Sequence, residues 1–285
     1  MQILRTVAQL RCWSRALRAT GGNTLGLVPT MGALHAGHAS LIRVARASCT
    51  HVAVSLFVNP TQFGPNEDYA RYPRAFDADS ALAAAEGADV LFEPTVEELY
   101  PNGPNATFVE VPLLSDRLDG QSRPGHFRGV ATVVAKLLIA AEPDRAYFGQ
   151  KDAAQVAVVR RMTGDLLLAT EIVVCPTVRD ADGLALSSRN AYLTPAQRAQ
   201  ALTLSRALRR VESLVANGER RASMLIASAH GLFAAEPSEP EFRIDYIALV
   251  DAATLEPVDT AVPGTLFAVA AWLGSTRLID NAILC

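Results

Sequence analysis

Short apolar runs and amphipathic stretches alternate along the chain up to Val178. The runs have the length typical of buried strands, and they are Leu25–Pro29, His51–Val58, Val90–Phe92, Arg145–Phe148 and Glu171–Val174. Apolar residues at helical spacing predict helices over Val7–Ala19, His38–Ser48, Asp77–Glu86, Val130–Ala140 and Ala153–Met162. Strands that alternate with helices in this way predict an α/β fold with a Rossmann-like, doubly wound parallel sheet.

The first helix has signals at both of its ends. Thr6 can cap the N-terminus, and Gly21-Gly22 follows the last turn. Ile3 and Leu4 continue the helical spacing of the apolar positions. This spacing favours a start that is part of the fold over the alternative, an Arg-rich organelle transit peptide.

The pattern changes after Val178. A long helix begins at Thr194-Pro195 and ends near Asn217-Gly218, and a second helical stretch covers Arg221–Ala235. Three strand-like runs follow, and they are Phe242–Val250, Thr265–Ala271 and Arg277–Leu284. We therefore predict a Rossmann-like ligand-binding domain over residues 1–178 and a smaller C-terminal α+β lid domain over residues 179–285.

Composition limits the classes of function. The chain has 285 residues, of which 50% are apolar and 19% charged, so it can bury a sizeable core. A net charge of −3 argues against a nucleic-acid-coating protein, and no apolar run reaches the ~18–20 residues that cross a membrane. The four cysteines are scattered without metal-binding spacing, which favours reduced thiols and a cytoplasmic location.

Charge is distributed unevenly along the chain. Residues 1–66 contain no Asp or Glu but several arginines, and the first acid is Glu67. Chance is one interpretation of this pattern. The other is that this end of the protein holds an anionic ligand.

The strongest local motif is Pro29-Thr30-Met31-Gly32-Ala33-Leu34-His35-Ala36-Gly37-His38, between a predicted strand and a predicted helix. Ligands of open α/β sheets bind beyond the carboxyl ends of strands, and helix N-termini offer free N–H groups to phosphates. His35 and His38 could donate hydrogen bonds to phosphoryl oxygens as neutral imidazoles, because a helix N-terminus lowers imidazole basicity. Two surface histidines on an ordinary loop are the alternative.

Two further segments offer side chains suited to phosphates. Gly149-Gln150-Lys151-Asp152 follows a strand, with Lys151 placed for a phosphate, Asp152 for a ribose hydroxyl or a helix cap, and Gln155 one turn later. The segment from Pro176 to Asn190 contains Ser187, Ser188 and Arg189 after an Asp-Gly turn, and such a loop can close over a triphosphate. A solvated helix start and a polar interdomain linker are the respective alternatives.

The remaining candidates lie between these segments. Asn59 and Gln62 follow the strand His51–Val58 and could bind a hydroxylated, carboxylated small molecule, and Tyr72 and the segment Arg123–Val130 add aromatic and cationic groups. Asp77 and Asp79 are the early acids that could hold Mg²⁺, and capping of the Ala-rich helix is the alternative.

Taken in order, these segments resemble the pantoate–β-alanine ligase (pantothenate synthetase) family of the HxGH nucleotidyltransferases. The matching motifs extend over most of the chain, and they are PTMGALHAGH, FVNPTQF, RPGHFRGV, YFGQKDAAQ, PTVRDADGLALSSRN and DYIALVD. HxGH alone indicates only the superfamily, whereas the later motifs are specific to this family.

The resemblance implies condensation of (R)-pantoate with β-alanine, driven by ATP through an acyl adenylate, with Mg²⁺ and a homodimeric protein. It places ATP along Met31, Gly32, Ala33, Leu34, His35, Ala36, Gly37, His38, Gly149, Gln150, Lys151, Asp152, Val178, Leu186, Ser187, Ser188 and Arg189. It assigns Gln62 to both acids, Gln155 to pantoate and proton donation to His38. The residues that could stabilise the negative charge of the adenylation transition state are His35, His38, Lys151, Ser187, Ser188 and Arg189.

Three other functions remain as alternatives. Nucleotidyltransferases that make a dinucleotide or a CDP-alcohol lack the later motifs. An aminoacyl-tRNA synthetase would need more chain for tRNA and a more basic charge. A nucleotide-sensing module would not need both histidines, Lys151 and the Ser-Ser-Arg loop together.

Overall fold

A computed structural model describes residues 1–65, 67–103, 106–236 and 241–285. The strands are β1 (Gln2–Leu4), β2 (Leu25–Thr30), β3 (His51–Leu56), β4 (Val90–Phe92), β5 (Arg145–Gly149), β6 (Glu171–Cys175), β7 (Phe242–Val250), β8 (Leu266–Leu273) and β9 (Thr276–Ile283). The α-helices are α1 (Val7–Ala19), α2 (Ala36–Ser48), α3 (Phe76–Ala85), α4 (Val96–Leu99), α5 (Pro112–Ser115), α6 (Asp119–Ser122), α7 (His126–Ala141), α8 (Ala153–Asp165), α9 (Pro195–Ala216) and α10 (Ala222–Ala234).

The larger sheet confirms the predicted doubly wound architecture. Its strand order is β1-β4-β3-β2-β5-β6, and every pairing is parallel. From β2 the chain moves to β3 on one side, and from β5 it moves to β6 on the other. The connections therefore diverge between β2 and β5, which makes a crevice at the carboxyl ends of these two strands.

Side chains that alternate along the strands belong to apolar cores on both faces of this sheet. On β2, Leu25 and Leu27 belong to one apolar cluster, and Val28 belongs to another. The first cluster lies under α1, α7 and α8, and the second lies under α2 and α3. Helices on both faces explain why the strands are continuous apolar runs rather than alternating ones.

The N-terminal residues correct one prediction. Thr6 caps α1 in a reciprocal capping box with Gln9, and the helix spans the predicted residues. Ile3 and Leu4, however, do not extend the helical pattern. They lie in β1, which pairs in parallel with β4 at the sheet edge, because three residues suffice for an edge strand when a neighbour supplies the hydrogen bonds.

Several helix boundaries also differ from the predicted ones. α2 begins at Ala36 and not at His38, and α7 begins at His126, four residues before Val130. Gly125 precedes α7 with a φ of 81°, a left-handed conformation in which glycine is favoured. The short helices α4, α5 and α6 were not predicted, since a single turn leaves no periodic pattern. No helix in the described ranges is long and apolar enough to cross a membrane.

The smaller sheet is antiparallel, in the order β7-β8-β9, and α9 and α10 pack against it. Buried residues of these elements make a separate apolar cluster that includes Leu204, Leu225 and Phe267. Val250 and Leu266 belong instead to the cluster under α7, so the smaller sheet also packs against the larger unit. The α+β class predicted for this part is confirmed, and the boundary at residue 178 stays a prediction.

Helix α7 approaches the segment after β3 closely. A Cβ on Gly129 would lie 2.4 Å from the Thr61 carbonyl oxygen, and the Gly129 carbonyl accepts a hydrogen bond from Asn59 Nδ2 at 3.1 Å. We expect Gly129→Ala to lower the free energy of unfolding by about 1–3 kcal/mol, because the helix or the loop must shift. Urea unfolding measures this change.

The matched control is Gly231→Ala, which makes the same change in an exposed turn of α10. A Cβ there has no neighbour within 4 Å in the described structure. It should raise the free energy of unfolding by about 0.5–1 kcal/mol, because alanine has less backbone entropy to lose. Equal effects of the two substitutions would contradict the close approach.

Candidate active site

A cavity of about 210 Å³ lies where the connections after β2 and β5 diverge. Fifteen of the predicted site residues line it: Met31, His35, Gly37, His38, Gln62, Tyr72, Gly149, Lys151, Asp152, Gln155, Val178, Leu186, Ser187, Ser188 and Arg189. The three motifs, far apart in sequence, therefore surround one space. Gly32, Ala33, Leu34, Ala36, Gln150 and Asn59 do not line this cavity, and the structure gives several of them supporting contacts instead.

The turn after β2 depends on Asp79. Gly32 has a φ of 87° and Ala33 a φ of 51°, so two successive residues take left-handed conformations. Asp79 holds this turn from α3, because Oδ2 accepts from the Ala33 amide at 2.9 Å and Oδ1 from the Leu34 amide at 2.7 Å. Both of its oxygens are thus occupied by the backbone, in a side chain only 3% exposed.

This arrangement favours the structural alternative over the prediction that Asp77 and Asp79 hold a metal. Asp79 is committed to the turn, and Asp77 is exposed in the first turn of α3, where an acid favours the helix N-terminus. No group of three or more His, Cys, Asp or Glu in the described part of the chain could hold a metal ion by itself.

The two histidines at the start of α2 have defined tautomers. His35 Nδ1 accepts a hydrogen bond from the Gly37 amide at 3.1 Å, and His38 Nδ1 accepts from the His35 amide at 3.3 Å. A neutral imidazole that accepts at Nδ1 carries its proton on Nε2. Both rings, with centroids 4.2 Å apart, therefore have an Nε2–H donor available to a ligand.

Both histidines are neutral at physiological pH. Burial, followed by the charges of His35 and Lys151, lowers the pKa of His38 to about 3. Burial and the Lys151 ammonium also lower the pKa of His35. The predicted neutral donors are thus supported, with burial as the largest cause of both pKa shifts.

The segment after β5 contributes two side chains to the cavity and one to the smaller sheet. Lys151 and Asp152 line the cavity, with Nζ and Oδ1 3.9 Å apart. Gln150 instead donates to Asn281 Oδ1 at 2.9 Å, and Asn281 Nδ2 donates to the carbonyls of Gln150 and Lys151. Asn281 on β9 therefore fixes the backbone that carries Lys151, a role that no local sequence pattern indicated.

Asn59 supports Gln62 from behind. Asn59 is 1% exposed, and its Nδ2 donates to Gln62 Oε1 at 3.2 Å, while Tyr100 Oη donates to Asn59 Oδ1 at 2.8 Å. Gln62 Nε2 lies 3.0 Å from Met31 Sδ, a weak acceptor that a stronger ligand oxygen would replace. Asn59 is therefore a supporting residue, and Gln62 is the one that faces the cavity.

His126 holds the backbone of Gln62. Its Nδ1 lies 2.8 Å from the Gln62 carbonyl, which can only accept, and its Nε2 lies 3.0 Å from Arg123 Nη1, which can only donate. This ring is thus neutral with its proton on Nδ1, and burial together with Arg123 lowers its pKa to about 3. Arg123 is in turn paired with Glu67 through Nε at 2.7 Å and Nη2 at 2.6 Å.

The segment from Leu186 to Arg189 closes the cavity from the side of the smaller sheet. Ser187 caps a 3₁₀ turn through the Arg189 amide, and Arg189 makes two hydrogen bonds to Asp68 at 3.0 and 3.2 Å. Tyr72 is 6% exposed, and its burial raises the pKa of the phenol.

Sequence patterns missed the apolar wall of the cavity. Val130, Val133, Val134 and Leu137 on α7 line it, and they appear in the sequence only as core positions of a buried helix. Thr177 was missed too, and its hydroxyl has no hydrogen-bond partner among the described residues. Helical spacing cannot distinguish a wall that faces protein from one that faces a ligand.

Comparisons with known proteins give consistent results. A profile of the Pantoate-beta-alanine ligase family matches residues 2–283. Pantothenate synthetases of Koribacter versatilis and Moorella thermoacetica are each 54% identical to this chain, over 100% of it and over 96% and 99% of their own lengths.

Solved structures agree with these sequence matches. The crystal structure of pantothenate synthetase from Thermus thermophilus is similar with a TM-score of 0.92 and 47% identity, covering 99% of each chain. That of pantoate–β-alanine ligase from Francisella tularensis, complexed with β-γ ATP and β-alanine, has a TM-score of 0.80 at 35% identity, covering 99% of this chain and 97% of its own.

The neutral histidines predict how stability depends on pH. The pKa values of His38 and His126 are depressed in the folded state, so their stabilisation is present above the ordinary value of 6.5 and is lost as pH falls towards 3. Each histidine should contribute about 1.4 kcal/mol per pH unit to that loss between pH 6 and pH 4. We expect His126→Gln to reduce the slope by about this amount, as measured by urea unfolding at several pH values.

His230→Gln is the matched control, because His230 is exposed on α10 and its surroundings change little on unfolding. It should leave the slope unchanged. An unchanged slope for His126→Gln would show that this ring is not held neutral.

Proposed function

We propose that ATP-dependent joining of pantoate to β-alanine by this protein proceeds through a pantoyl adenylate held in the cavity between β2 and β5. The chain belongs to the pantoate–β-alanine ligase family. The observation that carries this proposal is the meeting of two neutral Nε2–H donors, on His35 and His38, with Lys151 and Arg189 around one space. Such a set suits a phosphoryl group that gains negative charge as it reacts.

The chemistry requires activation of a carboxylate. An amine cannot displace an oxide from a carboxylate, so the pantoate oxygen first attacks the α-phosphorus of ATP, and the bond from that phosphorus to pyrophosphate breaks. The imidazole donors stabilise the added charge on the α-phosphate, and Lys151, Ser187, Ser188 and Arg189 stabilise the departing pyrophosphate. The β-alanine amine then attacks the acyl carbon, and AMP leaves as an anion.

Neutral imidazoles suit both steps. An uncharged histidine donates a hydrogen bond to the ground-state phosphate without forming a tight ion pair with it. Its stabilising contribution therefore grows as negative charge develops on the reacting phosphate. We assign the proton-donor role of His38 to hydrogen-bond donation from its Nε2–H, because this ring is held neutral and is the more deeply buried of the two.

Pantoate fits the inner part of the cavity. Its hydroxyl and carboxylate oxygens are acceptors for the Gln62 and Gln155 amides, and its two methyl groups match the apolar wall of Val130, Val133 and Val134. Gln62 is the better placed of the two amides, because His126 and Asn59 fix its backbone and side chain. We place β-alanine beside the same amide.

ATP occupies the outer part in this proposal. Val178 and Leu186 border the adenine, and Asp152, whose side chain is 46% exposed, accepts from a ribose hydroxyl or faces the phosphates. The cavity of about 210 Å³ is smaller than the ~300–1,000 Å³ typical of ligand sites, so in this proposal the nucleotide extends beyond it along the segment Leu186–Arg189, which serves as a lid. Closure of this lid then keeps water from the acyl adenylate.

Asp152 also fits a Mg²⁺ ion that is carried mainly by the nucleotide. It is the one carboxylate among the described residues that line the cavity, and Mg²⁺ usually takes one or two protein carboxylates together with phosphates and waters. The ion would supply positive charge to the triphosphate. We further propose a homodimer and a cytoplasmic location, the latter fitted by four free cysteines in the described residues.

Exchange of labelled pyrophosphate into ATP tests the first step by itself. We expect exchange to depend on pantoate, and His38→Ala and Lys151→Ala, made separately, to lower its rate by about 10²–10³, because each removes a donor to the reacting phosphates. The far-UV circular dichroism of both variants should match that of the original protein.

His230→Ala is the control for a histidine outside the cavity, and it should leave the exchange rate unchanged. Near-normal exchange in either cavity variant would refute the role assigned to that residue. Exchange with a different acid, or none with pantoate, would refute the proposed function.

A further inference from the structure

Arg189 is held by a carboxylate from the other side of the cavity. Its Nε donates to Asp68 Oδ2 at 3.2 Å, and its Nη2 donates to Asp68 Oδ1 at 3.0 Å. The side chains are 27% and 11% exposed, so this pair is far less solvated than an ordinary surface ion pair. Burial opposes the charge of Arg189, but the hydrogen bonds and charge of Asp68 raise the pKa of the guanidinium.

Asp68 binds one edge of the Arg189 guanidinium, and the other edge remains available to a ligand. A guanidinium presents five N–H donors in a planar fork, and Asp68 takes the side formed by Nε and Nη2. Nη1 has no hydrogen-bond acceptor among the described residues. Because Arg189 lines the cavity, its terminal edge is the one left to bind a phosphate.

Asp68 itself lies outside that cavity. It belongs to a 3₁₀ turn, Asp68–Ala70, and lines an outer cleft of about 770 Å³ that also borders Arg189. The carboxylate therefore binds the guanidinium from outside that cavity. From there it can orient Arg189 without meeting the phosphates, whereas a carboxylate inside the pocket would repel them.

We propose that Asp68 is a positioning residue that fixes the fork of Arg189, so that the Nη1 end meets the leaving pyrophosphate when the segment Leu186–Arg189 closes. Asp68 is on the side of the larger sheet and Arg189 on the segment that leads to the smaller one, so the pair joins the two sides of the cavity in this structure. Pre-orientation removes the entropy that a long, freely rotating arginine would lose in the transition state. This proposal rests on the proposed function.

Kinetics of Asp68→Asn test the proposal. We expect kcat of pantoate-dependent pyrophosphate exchange to fall about 10- to 100-fold and the KM for ATP to rise, with the KM for pantoate little changed, because only the nucleotide is misaligned. Asp68→Glu keeps the carboxylate and should recover part of the rate. The matched control is Glu86→Gln, which breaks the equally bidentate but exposed Arg43–Glu86 pair and should leave all three constants unchanged.

A double-mutant cycle separates positioning from a merely structural role. The dissociation constant of a non-reactive ATP analogue is measured by calorimetry for the original protein, Asp68→Asn, Arg189→Gln and the double variant. Asp68→Asn should weaken binding in the original protein and have no further effect beside Arg189→Gln. An equal weakening in both backgrounds, or original kinetics for Asp68→Asn, would overturn the positioning role. Lack of pantoate-dependent exchange in the unaltered protein would instead overturn the proposed function.

Discussion

The divergence of the chain after β2 and β5 is the constraint on which the rest of the structure depends. Neighbouring parallel strands whose crossovers leave in opposite directions cannot cover their shared carboxyl edge with their own helices. The gap receives the N-terminus of α2 and the turn that carries Lys151. The groups that we propose to bind phosphates are therefore brought together by topology before any individual side chain contributes.

Two parts of the structure complete the site from outside the larger sheet. Asn281 on β9 binds the carbonyls of Gln150 and Lys151, and Arg189 reaches across to Asp68. Both contacts join the smaller sheet, or the segment leading to it, to the larger one. The order of the groups around the cavity thus depends on the position of the C-terminal part.

The sequence predicted the parallel sheet and most helices from local signals such as a strand end, a glycine turn or a helix cap. Fifteen residues of the cavity lining were predicted as well, some from such signals and others, such as Val178 and Leu186, only from the family resemblance. The sequence did not predict the roles of Asp79, Asn59 and Asn281, which make contacts with residues far apart in the chain. Asp79 shows the difficulty well. An acid in the first turn of a helix is typical of capping and of metal binding, and neither pattern shows a turn 45 residues away.

Several arginines from the acid-free start of the chain form ion pairs with acids from later segments. Arg5, Arg18, Arg43 and Arg46 pair with Glu93, Glu142, Glu86 and Asp89, all of which come later in the sequence. These arginines are therefore neutralised away from the cavity, and the groups of this segment that we propose to bind anions are the uncharged histidines. A binding site with few permanent cations releases its anionic products more readily. Desolvated neutral donors give the larger share of their stabilisation to the transition state, where the phosphate charge is greatest.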